Sequence, residues 1–254
     1  MPGSYFFNDF FMIRKFLAVL ALVLSQAVAS THAAVITAVP GPDDQGGMIM
    51  PMVTVMGNTL DLMFMPGDVP VLSSLQTWSP GDTFQPTAAW YAELDPAGGN
   101  GKLFNNQYGF MGMVMDPLPD GKELAIKLTG VSSPDLQFWN YSNNLNLFDE
   151  VFTEVGSQVL WDGTMWHNYA TLPANAAPGT YTATFEVFVA NGTFTEGTGF
   201  VDYTTGAQAA TRDTNYNSVV VNYTWTVVPE PGASLMAGAG VLVLLTLRRR
   251  KGVA

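Results

Sequence analysis

Methionine at alternate positions is the feature of this chain most able to do chemistry. Met48, Met50 and Met52 form one alternating set and Met111, Met113 and Met115 a second, with Met56, Met63, Met65 and Met165 besides. Methionine forms strands less readily than Val or Ile, so its repeated use at period two calls for a reason. Thioethers are soft donors that select Cu(I) or Ag(I) and need no deprotonation. Met165-Trp166-His167 sets an imidazole and an aromatic ring beside one such donor. The competing reading is adaptable packing, with the alternating methionines on an inward face just as alternating valines would be. Packing is the default, because a metal site needs convergence in space; no metal and no cofactor is assigned.

Other candidates are sparser. His167 is the one histidine outside the N-terminal region, and no Gly-x-Ser-x-Gly elbow supplies a nucleophile for it to activate. Asp213-Thr214-Asn215-Tyr216-Asn217 places oxygen donors at alternate positions like the start of a calcium loop, but lacks the Gly and the distant Glu, and reads as a solvated turn. No pair of carboxylates stands out for glycoside hydrolysis. No catalytic residue is assigned, and the expectation is a protein that is not an enzyme.

The elements that must position these residues are short alternating apolar runs between turn residues. Expected strands are Val35 to Val39, Met52 to Val55, Thr59 to Phe64, Ala88 to Leu94, Tyr108 to Met115, Glu123 to Leu128, Asp135 to Trp139, Met165 to Tyr169, Thr180 to Ala190, Gly199 to Tyr203 and Ser218 to Val227. Gly and Pro mark turns at Pro40 to Asp43, Ser79 to Asp82, Asp95 to Gly101 and Pro178-Gly179. The clearest unit puts Tyr181, Ala183, Phe185, Val187 and Val189 on one face, with Phe188 on the other, implying that the second face is partly covered. Val219, Val221, Tyr223, Trp225 and Val227 alternate likewise. The pattern predicts an all-β fold, an antiparallel β-sandwich of Ig-like or jelly-roll type.

Charge narrows the partners. Of the 10 Lys and Arg residues, Arg14, Lys15, Arg248, Arg249, Arg250 and Lys251 lie in the terminal regions. Lys102, Lys122, Lys127 and Arg212 alone remain between them, against nearly all of the 21 acidic residues. No basic face can be assembled for phosphates, so nucleic acid is excluded as a partner. Cysteine is absent, which removes disulfides, thiol catalysis and thiolate metal sites.

The two ends carry address signals. Arg14 and Lys15 precede an apolar run from Phe16 to Leu24 and small residues through Ala27-Val28-Ala29 and Ala33-Ala34, the pattern of a secretory signal peptide. Residues 1–33 are read as that peptide, with Met12 a candidate true start, residues 34–227 as the ectodomain, and residues 228–254 as a tail. The tail runs Val228, Pro229, Glu230, Pro231, then an apolar stretch from Gly232 to Leu247, then the basic residues Arg248, Arg249, Arg250 and Lys251. Two prolines around Glu230 hold that stretch extended and outside any following helix. The apolar stretch makes a helix of about 24 Å, enough for a single transmembrane span if flanking residues snorkel. The basic cluster stays on the cytoplasmic side and sets everything before Pro229 on the other.

In this order the tail resembles the PEP-CTERM sorting tail of Gram-negative exported proteins. The resemblance implies that Val228, Pro229, Glu230 and Pro231 are the sorting motif read by exosortase, a membrane-embedded protease-transpeptidase, and that Arg248 to Lys251 are the basic stop. It also implies export through signal peptidase and the general secretion machinery, an intermediate anchored in the inner membrane, and a final place on the cell surface or outside the cell. Members of the family accompany exopolysaccharide in biofilm or floc, so the expectation is an exported surface or extracellular-matrix protein. The alternative expectation is a periplasmic or surface protein that handles Cu(I) or Ag(I) with its Met-rich strands.

Overall fold

The computed structural model describes residues 45–64, 67–82, 86–95, 101–114, 117–142, 147–191 and 210–228. The chain divides into two units, Met1–Val35 with Val228–Ala254, and Ile36–Val227; apart from Val228, the described residues belong to the second. The signal peptide, the strands expected at Val35 to Val39 and Gly199 to Tyr203, and the tail beyond Val228 lie outside the described residues. Among the described residues no helix is long and apolar enough to cross a membrane.

Among the described residues the fold is all-β, in two sheets. The strands are β1 (Pro51–Met56), β2 (Thr59–Phe64), β3 (Ser73–Ser74), β4 (Lys102–Asn105), β5 (Gly109–Val114), β6 (Lys122–Val131), β7 (Gln137–Ser142), β8 (Leu147–Glu150), β9 (Gln158–Trp161), β10 (Trp166–Pro173), β11 (Gly179–Asn191), β12 (Thr211–Arg212) and β13 (Ser218–Val227), with one short helix, α1 (Ala89–Leu94). The eight-stranded sheet runs β2-β1-β5-β10-β4-β3, with β7 on β10 and β8 on β7. The five-stranded sheet runs β12-β11-β6-β9, with β13 on β11. A two-residue turn joins β1 to β2, and Gly57 supplies the positive φ, 54°, that such a turn requires.

One buried cluster draws on both sheets: Val53, Val55, Leu60, Phe110, Phe138 and Trp166 from the first, with Ile126, Val159, Trp161, Phe185, Val187, Tyr223 and Trp225 from the second. Phe185 lies near its middle, its ring centroid 5.2–5.5 Å from those of Phe110, Phe138, Phe152 and Tyr223. The alternation of β11 and β13 is as the sequence implied. Ala183, Phe185, Val187, Val189, Val221, Tyr223, Trp225 and Val227 are buried. Phe188, on the other face of β11, is buried with Ala125, Leu160 and Ala190.

The segment 70–74 belongs to both sheets. Pro70 and Leu72 exchange backbone bonds with Thr226 of β13, and Ser73 and Ser74 then pair with β4. A second link is made by a side chain: Asn217, just before β13, accepts from the Leu60 N–H at 2.6 Å and donates to its C=O at 2.8 Å, so an amide stands where a strand would pair with β2.

Three expectations need correction. The pairing is not wholly antiparallel: β1 lies parallel to β5 from Met52 beside Met111 to Val55 beside Val114. The chain between them, through β2, β3, α1 and β4, supplies the long crossover that a parallel return needs. The strand expected at Ala88 to Leu94 is a helix over Ala89–Leu94. Trp90 and Leu94, four residues apart, share a face in either conformation; Ala92, which would join them in a strand, is exposed. Alanine also favours the helix. The third correction is partial: the turn at Asp213 to Asn217 forms, with Thr214, Asn215 and Asn217 exposed, but Asp213 itself is buried; its backbone and side chain organise the turn through Asn215 and Tyr216, and its carboxylate pairs with Lys122. That ammonium, with the Asn215 N–H, holds the carboxyl below its ordinary range and fills the place a cation would take.

Alpha-1 lies over the outer face of the eight-stranded sheet. There Leu75, Trp90, Leu94, Phe104, Phe148 and Tyr169 form a second buried cluster, with Trp139 stacked on Phe148 at 5.0 Å. Lys102 pairs with Glu93 of the helix at 3.0 Å and covers the Trp139 ring.

Candidate functional site

The packing expectation for the methionines fails for most of them. On β1 the inward positions belong to Val53 and Val55. Met50 is buried, but Met48, Met56, Met63, Met113 and Met165 are exposed, and Met52 and Met111 are half-buried. Register brings several together: Met52 stands beside Met63 on one side and beside Met111 on the other. Pairs at one register level share a face, so the three form a row of thioethers across β2, β1 and β5. Met65 and Met115 lie outside the described residues.

Next to this row is a cleft of about 510 Å³ lined by Gly46, Met48, Asn106, Gln107, Asn140, Tyr141, Met165, Trp166, His167 and Tyr169. Its floor is the start of β10, where Trp166 and His167 pair with Phe110 and Gly109 of β5. Gly109 is required there. A Cβ at that position would stand 2.4 Å from the Trp166 carbonyl oxygen and 3.3 Å from the His167 Cα.

One wall is a loop held by amides. Gln45 donates to the Phe104 carbonyl at 2.6 Å and accepts from the Asn106 N–H at 2.8 Å. Gln107 donates to the Gly47 carbonyl at 3.1 Å, and the Ile49 N–H donates to the Gln107 carbonyl at 2.8 Å. The buried Asn105 bonds Gln107 in turn. These bonds tie residues 45–49 to the break between β4 and β5, and so fix Met48 at the rim. On the opposite side the Trp166 indole donates to Asn140 at 3.1 Å.

His167 has its Nδ1 3.3 Å from the Asn106 carbonyl oxygen. A carbonyl only accepts, so this contact is made by Nδ1–H, and Nε2 is the ring nitrogen not engaged in it. The described lining holds no carboxylate, no ammonium and no Ser or Thr hydroxyl. Among the described residues, no group of three or more His, Asp or Glu side chains is placed to hold a metal ion. What the cleft offers is two exposed thioethers, one imidazole nitrogen outside the Asn106 contact, neutral amides and aromatic rings.

Of the residues singled out in the sequence, Met165 and His167 come together here. Met111 lies in the adjoining row, Met113 is exposed on the same strand, and Met48 joins the cleft from a loop far away in sequence. The sorting motif is described only at Val228, and the basic residues Arg248 to Lys251 lie outside the described residues. No family model matches the chain, and no curated protein matches it in sequence above chance.

Proposed function

We propose that this is an exported, non-enzymatic protein of the cell surface or extracellular matrix, a β-sandwich of Ig-like or jelly-roll type delivered by a signal peptide and a PEP-CTERM-like tail. The observation that carries the reading is the junction at the end of the domain. The last strand, β13, runs to Val227, and Val228-Pro229-Glu230-Pro231 follows with no spacer. Two prolines in the motif disfavour helix and strand alike, a sequence property that suits recognition in a protease cleft. Exosortase is the processing partner, the inner membrane the station before cleavage, and an exopolysaccharide-rich biofilm or floc the destination. The acidic character of the domain suits a hydrated, cation-rich matrix.

Changing Pro229-Glu230-Pro231 to three alanines leaves the apolar stretch and the basic stop in place, so full-length protein should accumulate in the inner membrane. Mass spectrometry of the C-terminus decides: wild-type protein that still carries Arg248 to Lys251 at steady state, in cells with an active exosortase, sinks the reading.

A further inference from the structure

We infer that Met48, Met165 and His167 form a binding site for one soft monovalent cation, Cu(I) or Ag(I), with the two thioether sulfurs and the imidazole Nε2 as donors. Three independent observations carry this. Met48 and Met165 are 53% and 54% exposed, although side chains of this kind are ordinarily withdrawn from water. Packing does not account for them.

The second observation is the hydrogen bond of His167. Its Nδ1–H is engaged by the Asn106 carbonyl, the outer-shell bond that metal-ligating histidines make with their other ring nitrogen. It restrains the ring and leaves Nε2 as the nitrogen not engaged by the carbonyl. Met165 and His167 are two residues apart in extended chain, so their side chains leave the backbone on the same side, about 6.7 Å apart at Cα. A thioether and an imidazole on such stems can close on one ion between them.

The third is the scaffold. Met48 is carried by a loop pinned through Gln45 and Gln107 at 2.6–3.1 Å, so it lines the same cleft as Met165 and His167 without the ordering cost of a free loop. The composition of the lining sets the selectivity. Without a carboxylate, hard cations such as Ca(II) and Mg(II) have no charged oxygen donors. With one imidazole and no thiolate, Zn(II) lacks the donors it demands. Two thioethers and one imidazole are a set that a soft monovalent ion prefers.

The test is a competition titration of the full-length protein with Cu(I) under anaerobic reducing conditions, using a chromophoric chelator, with Ag(I) in parallel. Wild type should take up one equivalent, and X-ray absorption of the Cu(I) form should show sulfur and nitrogen together in the first shell. Joint Met48→Leu and Met165→Leu substitution, at exposed positions where the fold tolerates leucine, should weaken binding by more than about 100-fold, the upper end of what outer-shell partners alone cost. His167→Gln should weaken it and remove the nitrogen scatterer. Met52→Leu with Met111→Leu, in the neighbouring row but outside the cleft, should leave affinity within about threefold. Absence of Cu(I) and Ag(I) binding by wild type overturns the proposal. So does unchanged affinity in the Met48 and Met165 double variant, and so does an equal loss in the Met52 and Met111 variant, since that would place the ion elsewhere. Thermal midpoints of all variants, read alongside, separate lost donors from lost fold.

Discussion

Gly109→Ala puts one methyl group where the structure leaves no room for it. The new Cβ would meet the Trp166 carbonyl oxygen at 2.4 Å, the Met50 sulfur at 3.2 Å and the His167 Cα at 3.3 Å. The sulfur ends a flexible chain and can move aside, but the carbonyl is backbone and must be displaced by nearly 1 Å to reach an ordinary contact of about 3.3 Å. Relief has two routes. Either β5 separates from β10, where only Trp166–Phe110 and His167–Gly109 hold the strands together, or Gly109 shifts and strains the buried bond, 2.6 Å long, that the Tyr223 hydroxyl donates to its carbonyl. Each route weakens one or two hydrogen bonds, at about 1 kcal/mol apiece and more where a buried group is left unmade. Reduced freedom of the unfolded chain offsets about 0.4–1 kcal/mol. The net expectation is a loss of about 1.5–3 kcal/mol, read as a lower urea midpoint with unchanged slope by tryptophan fluorescence. Gly47→Ala is the internal control. Nothing lies within 4 Å of its added Cβ, so it should be neutral or slightly stabilising. A Gly109→Ala protein within about 0.5 kcal/mol of wild type would show that the β5–β10 contact does not constrain the floor of the cleft.

Two further outcomes follow from the core. Burial pushes the Tyr223 hydroxyl well above its ordinary value of 10.0, with Tyr108 stacked on it adding to the rise; a raised folded value means stability is whole below pH 10 and falls as pH rises above it. Tyr223→Phe should therefore lower stability by about 1–2 kcal/mol at neutral pH through the lost bond to Gly109, yet flatten the alkaline limb of the stability curve, and an unchanged limb would contradict the assignment. Phe185→Asp, at the meeting point of four aromatic rings, should unfold the domain outright, because an unpaired buried charge costs several kcal/mol against a total stability of about 5–15. A circular dichroism spectrum like that of wild type would refute it.

Strands with one buried face were legible. Beta-2 and β13 alternate, as does β11 up to Val187, beyond which Phe188 and Ala190 are buried on the second face as well; their bounds fall where the sequence suggests. Beta-9 was not, because Gln158, Val159, Leu160 and Trp161 are all buried, and a strand covered on both faces has no period to read. Beta-3 and β12, two residues each, are defined only by their partners. Alpha-1 was misread because Trp90 and Leu94 satisfy two periods at once. For the site, the donor types at Met165 and His167 were visible, but not which way the methionines face. That depends on register, which one residue of slip would invert. Met48 could not be placed at all without the amide bonds of Gln45 and Gln107, which reach across about sixty residues.

The seam where Asn217 grips Leu60, and where Pro70 and Leu72 grip Thr226, bears on how this protein behaves when crowded. An unpaired strand edge is a template on which a second copy can add, and chains held at high local concentration are the most exposed to that hazard. At this seam the hydrogen-bonding groups of Leu60 on β2 and Thr226 on β13 are already occupied, one by a side-chain amide and the other by a crossing segment. Beta-8, at the far side of the eight-stranded sheet, is four residues long and carries Asp149 and Glu150, a short and like-charged edge that a second copy would be repelled from. Along the seam a second copy finds those backbone groups already engaged, and removal of the Asn217 amide would free the Leu60 N–H and C=O on β2 for such pairing.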